Sequence, residues 1–231
     1  MHRYDLLYRE SLLRIEALVG PLDEERLGLT VPACPLWRVS DLVAHLAGVA
    51  HDFTTGRLDG KPGPMWTRRH VRERSRRGVR ENLGELRRLT PAVEELLSRE
   101  QPEITLLHDI VQHEADLRGC LPGTPAVPTA VWELLLDDLC GTASAWVSGP
   151  GPLLLRSGGR EWKIPGGEAH PTTLDAPGHD LWRAIFGRRS TAQMSAWNWS
   201  GTAEPYLRSL PRFPARETDL TEPGPVPVDQ I

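Results

Sequence analysis

The residues best suited to chemistry are His45 in SDLVAHLAGV, and Asp109 and His113 in DIVQHEADLR. On a helix at ~100° per residue, Asp109 and His113 lie about 40° apart and one turn from each other. They project beside the apolar residues Leu106, Ile110 and Leu117. The same geometry puts His45 at the edge of a stripe formed by Leu42, Leu46 and Val49. A carboxylate beside two imidazoles at a buried face is costly unless something compensates its charge. A divalent ion would do so, and an i,i+4 pair plus a third donor from a facing helix is a way to build such a site in a bundle. Three protein ligands leave a tetrahedral zinc one open position, the mark of a catalytic site. Zinc is the default for nitrogen and oxygen donors, and nickel or iron also suits them. The same residues are equally compatible with hydrogen-bonded core histidines beside a solvated aspartate, because DxxxH is far less specific than HExxH. The remaining histidines, His2, His51, His70, His108, His170 and His179, read as surface or hydrogen-bonded residues, with His108 off the apolar stripe.

Other reactive types give weaker signals. Cys34, Cys120 and Cys140 form no CxxC and are too few for a disulfide framework, so they read as packing residues in a reducing, cytoplasmic setting. Asp116 and Arg118 either orient a histidine from behind or form an ion pair near a helix end. In FGRRS, Arg188 is a candidate contact for a substrate anion, with Arg189 beside it, since guanidinium groups suit carboxylates. The arginine-rich stretch 68–88 is interleaved with Glu73, Glu81 and Glu85 and has no aromatic platform, so it reads as a solvated helix face. Trp197 and Trp199 alternate on an expected strand as core packing.

The elements that must position these groups follow from periodicity and punctuation. Helices are expected over 4–19, with Leu6, Leu7, Leu13 and Leu18 in its apolar pattern, and over 41–56 with Ser40 as N-cap. Further helices are expected over 69–89, 93–97, 104–118 and 129–146. SGPGP from Ser148 reads as a linker. Beyond it come a hairpin, 153–156 and 161–164, around Ser157-Gly158-Gly159-Arg160, a short helix over 179–187 and a strand over 193–199. The stretch 211–231 is proline-rich and reads as irregular. The expected fold is α+β: a helical bundle over 1–148, then a small α/β domain with a Pro-rich tail over 149–231. A length of 231 residues supports a sizeable core. The net charge of −4 argues against a general nucleic-acid binder. No apolar run approaches the ~18 residues of a membrane span, and MHRYDLLYRESLL lacks the apolar core of a secretory signal. Oligomeric state leaves no signal in the sequence.

Two runs carry a family resemblance. CPLWRVSDLVAHLAG (34–48) resembles the segment of the mycothiol-dependent maleylpyruvate isomerase family that bears its first metal histidine. DIVQHEADLRGCLPG (109–123) resembles its second metal motif, a carboxylate four residues before a histidine, and the stretch 180–207 is similar to its small C-terminal domain. The resemblance implies a DinB-like four-helix bundle with His45, Asp109 and His113 as metal ligands, and mycothiol as thiol cosubstrate. The maleylpyruvate isomerase itself has glutamate where this chain has Asp109, one methylene shorter. The implied chemistry is attack of a metal-activated thiolate on a small electrophile. Addition, bond rotation and elimination would isomerise it, whereas displacement would transfer the thiol. Two other readings stand beside this: a non-catalytic DinB-like protein that binds a small molecule or partner, and a metal-dependent hydrolase with water in the open position.

Overall fold

The computed structural model describes residues 3–222. His2 and the end of the Pro-rich tail, from position 223, lie outside the described residues. The chain divides into two compact units, Met1–Ala126 and Val127–Ile231.

The first unit runs α1 (Tyr4–Val19), α2 (Glu24–Leu27), β1 (Thr30–Val31), β2 (Cys34–Arg38), α3 (Val39–Thr55), α4 (Pro64–Arg74), α5 (Val79–Leu97) and α6 (Thr105–Cys120). The four long helices form the bundle: α1 and α3 each pack on both α5 and α6. Helix α4 lies on α3, and the short antiparallel β1–β2 ribbon leads directly into α3. Ile15, Leu42, Leu46, Leu86, Leu106, Leu107, Ile110 and Leu117 are fully buried between the helices. In α1 the buried face is Tyr8, Leu12, Ile15 and Val19, an i,i+4,i+7,i+11 stripe. Leu6 and Leu13, expected inside, are exposed.

Helix α3 starts one residue before Ser40. The Asp41 carboxylate accepts the Arg38 backbone N–H at 3.0 Å, which does the capping expected of Ser40. The helix ends at Gly56, whose φ of 73° is the left-handed conformation that glycine adopts without strain. The single polar helix expected over 69–89 is two helices. Glu81 accepts the Gly78 backbone N–H at 2.8 Å and so opens α5, while α4 stops at Arg74.

The second unit holds α7 (Thr129–Thr142) with a 3-10 turn after it, β3 (Leu153–Ser157), β4 (Arg160–Ile164), β5 (Thr172–Asp175), α8 (Gly178–Ile185), α9 (Thr191–Ser195), β6 (Asn198–Ser200) and α10 (Glu204–Ser209). The sheet order is β4-β3-β5-β6, with β3–β5 parallel and the other two pairs antiparallel. Gly158 and Gly159, at φ 55° and 81°, make the tight hairpin turn between β3 and β4. Leu153, Leu155 and Leu174 are buried on one face of the sheet, and α7 packs on α8 and β4. The units therefore divide after Ala126 rather than at Ser148, and α7 belongs to the second. SGPGP is not a free linker: the Tyr206 hydroxyl donates to the Gly151 carbonyl at 2.5 Å and pins it. Of the strand expected over 193–199, residues 193–195 are the end of α9 and only 198–199 are strand. The Ser190 hydroxyl accepts the Gln193 N–H at 2.9 Å while the Gln193 side chain accepts the Ser190 N–H at 3.0 Å, a reciprocal cap that starts a helix. Only Trp199 of the two expected tryptophans pairs in the sheet, opposite Leu174.

Among the described residues no helix is long and apolar enough to cross a membrane.

Candidate metal centre

Helix α3 supplies His45, and α6, packed against it, supplies Asp109 and His113. His45 Nε2 is 3.5 Å from Asp109 Oδ1, and His113 Nε2 is 3.7 Å from the same oxygen. One donor atom from each of the three residues lies within 4.8 Å of the others. The two imidazole rings stand nearly perpendicular, with centroids 5.0 Å apart. His45 and His113 are 2% and 7% exposed, while the Asp109 side chain keeps 23%, so solvent reaches the trio from the carboxylate side. The Trp37 ring, half-buried on β2, lies 4.6 Å from the His45 ring and 5.9 Å from that of His113.

Each imidazole is backed by a different support. His113 Nδ1–H donates to Asp116 Oδ2 at 2.9 Å, and Asp116 is fully buried. The Cys34 thiol donates to the same oxygen at 3.3 Å. Cys34, His113 and Asp116 thus form a second trio of donors on the opposite edge of the His113 ring. His45 Nδ1 lies 3.2 Å from His70 Nδ1, and His70 Nε2 lies 2.9 Å from Asp52 Oδ2. Asp52 also accepts from Arg69 and contacts His51 Nδ1 at 3.2 Å.

The electrostatics separate the two histidines. Burial pushes His45 down to about 4, against the pull of Asp109. Burial also acts to lower His113, but Asp116, Cys34 and Asp109 outweigh it and raise the group to about 10. Burial acts to raise Asp109, yet the neighbouring His45 and His113 hold it below the usual carboxylate range. At neutral pH the protein alone therefore holds a neutral His45 between two ionised partners, Asp109 and His113. The nitrogen and oxygen donor set, its size and its one exposed side fit a divalent ion such as zinc.

Asp116 touches His113, while Arg118 pairs with Glu114 at 2.8 Å and donates to the Pro125 carbonyl. Glu114 also takes Ser11 and Arg14, so that cluster is a closed structural one. Arg188 lies in the second unit, half-buried, with Nη1 donating to the Phe186 carbonyl at 2.8 Å. Arg189 is buried and engaged with Asp180 and Glu222. Cys34 is no mere packing residue, since it shares Asp116 with His113; Cys140 is buried, which pushes its thiol up to about 12. The three cysteines are free thiols.

Three of the histidines read as surface or hydrogen-bonded residues are buried. His108 is buried because α6 is covered on several sides, by α1, α3, α5 and β1. His179 is buried between Trp132 and Trp182. His70 is fully buried behind His45. A signal for His70 was present in α4, where Trp66, His70 and Arg74 recur every four residues and form the buried face of a polar helix.

A DinB-like bundle carrying an inward-facing His/Asp/His trio, followed by a small α/β unit, defines the class of protein. The chain belongs to the family described as mycothiol maleylpyruvate isomerase N-terminal domain, whose model matches residues 8–132. Two crystal structures are similar over most of the molecule: the mycothiol-dependent maleylpyruvate isomerase and a histidine-to-alanine mutant of it. Each covers 85% of this chain and 91% of its own, with a TM-score of 0.59, at 16% and 15% identity respectively. That likeness establishes a shared fold. No curated protein matches the chain in sequence.

Proposed function

We propose that this protein is a metal-dependent enzyme that activates a low-molecular-weight thiol, mycothiol in the first instance, for reaction with a small electrophile. His45, Asp109 and His113 are the proposed metal ligands and zinc the proposed metal. The observation that supports this is the convergence of two Nε2 atoms on one Asp109 oxygen at 3.5 and 3.7 Å, longer than hydrogen bonds and open to solvent on one side. Family membership supports the thiol. A divalent ion held there would keep a coordinated thiol as its anion, which is the nucleophilic form.

The chain's own residues have definite tasks in this reading. His45 is neutral and offers its Nε2 lone pair without first losing a proton. His113 must release a proton before it can ligate, and Asp116 keeps its Nδ1–H in place while Nε2 is bared. Asp109 contributes the negative charge that offsets a dication in a buried setting. Trp37 covers both imidazoles and limits access to the side on which Asp109 is exposed. The reaction is addition of the thiolate to a conjugated double bond, rotation about the resulting single bond and expulsion of the thiolate, which isomerises the substrate, or displacement in which the C–S bond forms as the leaving group departs, which gives a thioether.

Elemental analysis of purified protein, with cobalt substitution, tests the reading. The expected result is one ion per chain, lost in His45→Ala and His113→Ala, and a cobalt spectrum that changes when mycothiol is added. Full metal content in both variants would overturn the ligand set. A cobalt spectrum indifferent to thiols would overturn the thiol chemistry.

A further inference from the structure

Behind the trio lies a buried chain of polar groups that the proposed chemistry leaves unused. His70 is fully buried and sits between His45 and Asp52, with its two ring nitrogens 3.2 Å from His45 Nδ1 and 2.9 Å from Asp52 Oδ2. We propose that Asp52 and His70 form a positioning relay that locks His45 in the tautomer with Nδ1 protonated and Nε2 bare. This inference rests on the reading of His45 as a ligand and explains how it is prepared for that role.

The argument is one of donors and acceptors. An ionised carboxylate accepts only. Asp52 is therefore the acceptor, and His70 Nε2–H donates to it. The charge of Asp52 is already matched by Arg69, so a second cation at His70, out of contact with water, would have no counter-charge of its own. His70 is thus neutral, with its single N–H spent on Asp52 and a lone pair on Nδ1. Two ring nitrogens 3.2 Å apart need one proton between them, and only His45 Nδ1 can provide it. The proton shared with His70 is then fixed on His45 Nδ1, which leaves Nε2 as the atom that a metal would take. Its Nε2 lone pair faces Asp109, acceptor toward acceptor, an arrangement that invites a cation.

The packing around His70 is built for this position. A Cβ at Gly48 of α3 would overlap the His70 ring. Glycine in a helix interior costs about 1 kcal/mol relative to alanine, and here it occupies the point where the ring crosses the helix. Trp66 closes the other side, edge-on at 4.2 Å between centroids. The ring is seated by α3 and α4 together, so its nitrogens cannot swing away from His45 without displacing one of those helices.

The test uses the full-length chain and two variants. In His70→Asn, a side-chain carbonyl oxygen can stand near the Nδ1 position and still accept from His45, but the link to Asp52 is cut. In His70→Phe, the space is filled and no acceptor remains. Long-range nitrogen–proton NMR of the metal-free wild type near pH 7 is expected to show His45 protonated on Nδ1. His70→Phe should mix the two His45 tautomers and weaken zinc binding by about 10–100-fold, the usual cost of losing such an outer partner. His70→Asn should recover most of both. A wild-type His45 protonated on Nε2 would overturn the relay, as would His70→Phe binding zinc as tightly as wild type. Should His70→Phe fail to fold, the wild-type tautomer and His70→Asn decide. An Nδ1-protonated His45 in a chain that takes up no zinc would uphold the relay while overturning the metal reading.

Discussion

Glu222 in the second unit and Asp109 in the first are both carboxylates that face two nitrogen-bearing side chains. Glu222 receives Arg183 at 2.9 and 2.5 Å and Arg189 at 2.7 Å, and Arg189 also pairs with Asp180. Guanidinium groups are permanent donors, so each of these carboxylates is met by groups that can only donate to it. Asp109 instead faces two imidazoles at 3.5 and 3.7 Å, beyond hydrogen-bonding distance. Imidazole can donate or accept, and here one of the two presents a lone pair. Buried charge is thus no sign of function in itself. What separates the two clusters is whether their donors and acceptors satisfy one another or converge on a common point.

The largest effect that would sharpen this contrast is on metal binding. His45→Ala and His113→Ala are each expected to weaken zinc binding by more than the about 10–100-fold typical of outer partners. Arg189→Met should leave it unchanged, as measured by competition with a chelator. Equal losses in all three variants would erase the distinction between the clusters.

Next comes stability. Glu222→Ala removes the buried carboxylate that Arg183 and Arg189 share, and removing one partner of a buried ion pair costs about 3–5 kcal/mol. Denaturant unfolding should register that loss while zinc affinity per folded molecule stays at the wild-type value. Somewhat smaller is a pH effect at His179, which burial and then the nearby Arg183 hold down to about 4, against 6.5 in the unfolded chain. The folded state binds fewer protons between those values, so stability is complete above pH 6.5 and declines as the pH falls toward 4. The full loss is about 3 kcal/mol at 1.36 kcal/mol per pKa unit. His45 and His70 act in the same sense in the first unit. The readout is therefore the difference between wild type and His179→Phe, which should shrink steadily from pH 7 to pH 4.

The trio was legible in the sequence because α3 and α6 carry strong apolar stripes, and a stripe fixes which neighbours point inward. His70 was not legible in the same way. Its helix, PMWTRRHVRER, is polar almost throughout, and the burial of one face depends on Gly48 of another helix. Asp52 is linked to His45 through His70. His108 shows the reverse failure: a helix covered by several neighbours has no outer face, so an off-stripe position is buried too. The division between the units was misplaced because glycine and proline punctuate SGPGP, whereas the Tyr206 hydroxyl that pins it comes from far along the chain. The start of α9 was written locally, in the spacing of Ser190 and Gln193, but Trp197 and Trp199 suggested strand alternation more strongly.

The smallest expected effect at neutral pH, and the most discriminating, is that of Asp116→Asn. The asparagine carbonyl can still accept the His113 Nδ1–H, so ring orientation is kept while the negative charge is lost. Two consequences oppose each other. A less polarised His113 is a poorer ligand, by about 10–100-fold. Yet without the Asp116 charge, His113 no longer holds its proton up to about 10, and that proton competes with the metal. In the wild type, apparent zinc affinity should climb about tenfold per pH unit from neutrality toward pH 10, as His113 is deprotonated. In Asp116→Asn the climb should level off at a lower pH. The two curves therefore lie close together near pH 7 and separate at higher pH, with the wild type tighter. Parallel curves at all pH values would mean that Asp116 serves only to pack α6, and the first unit would then hold its buried charges much as the second does.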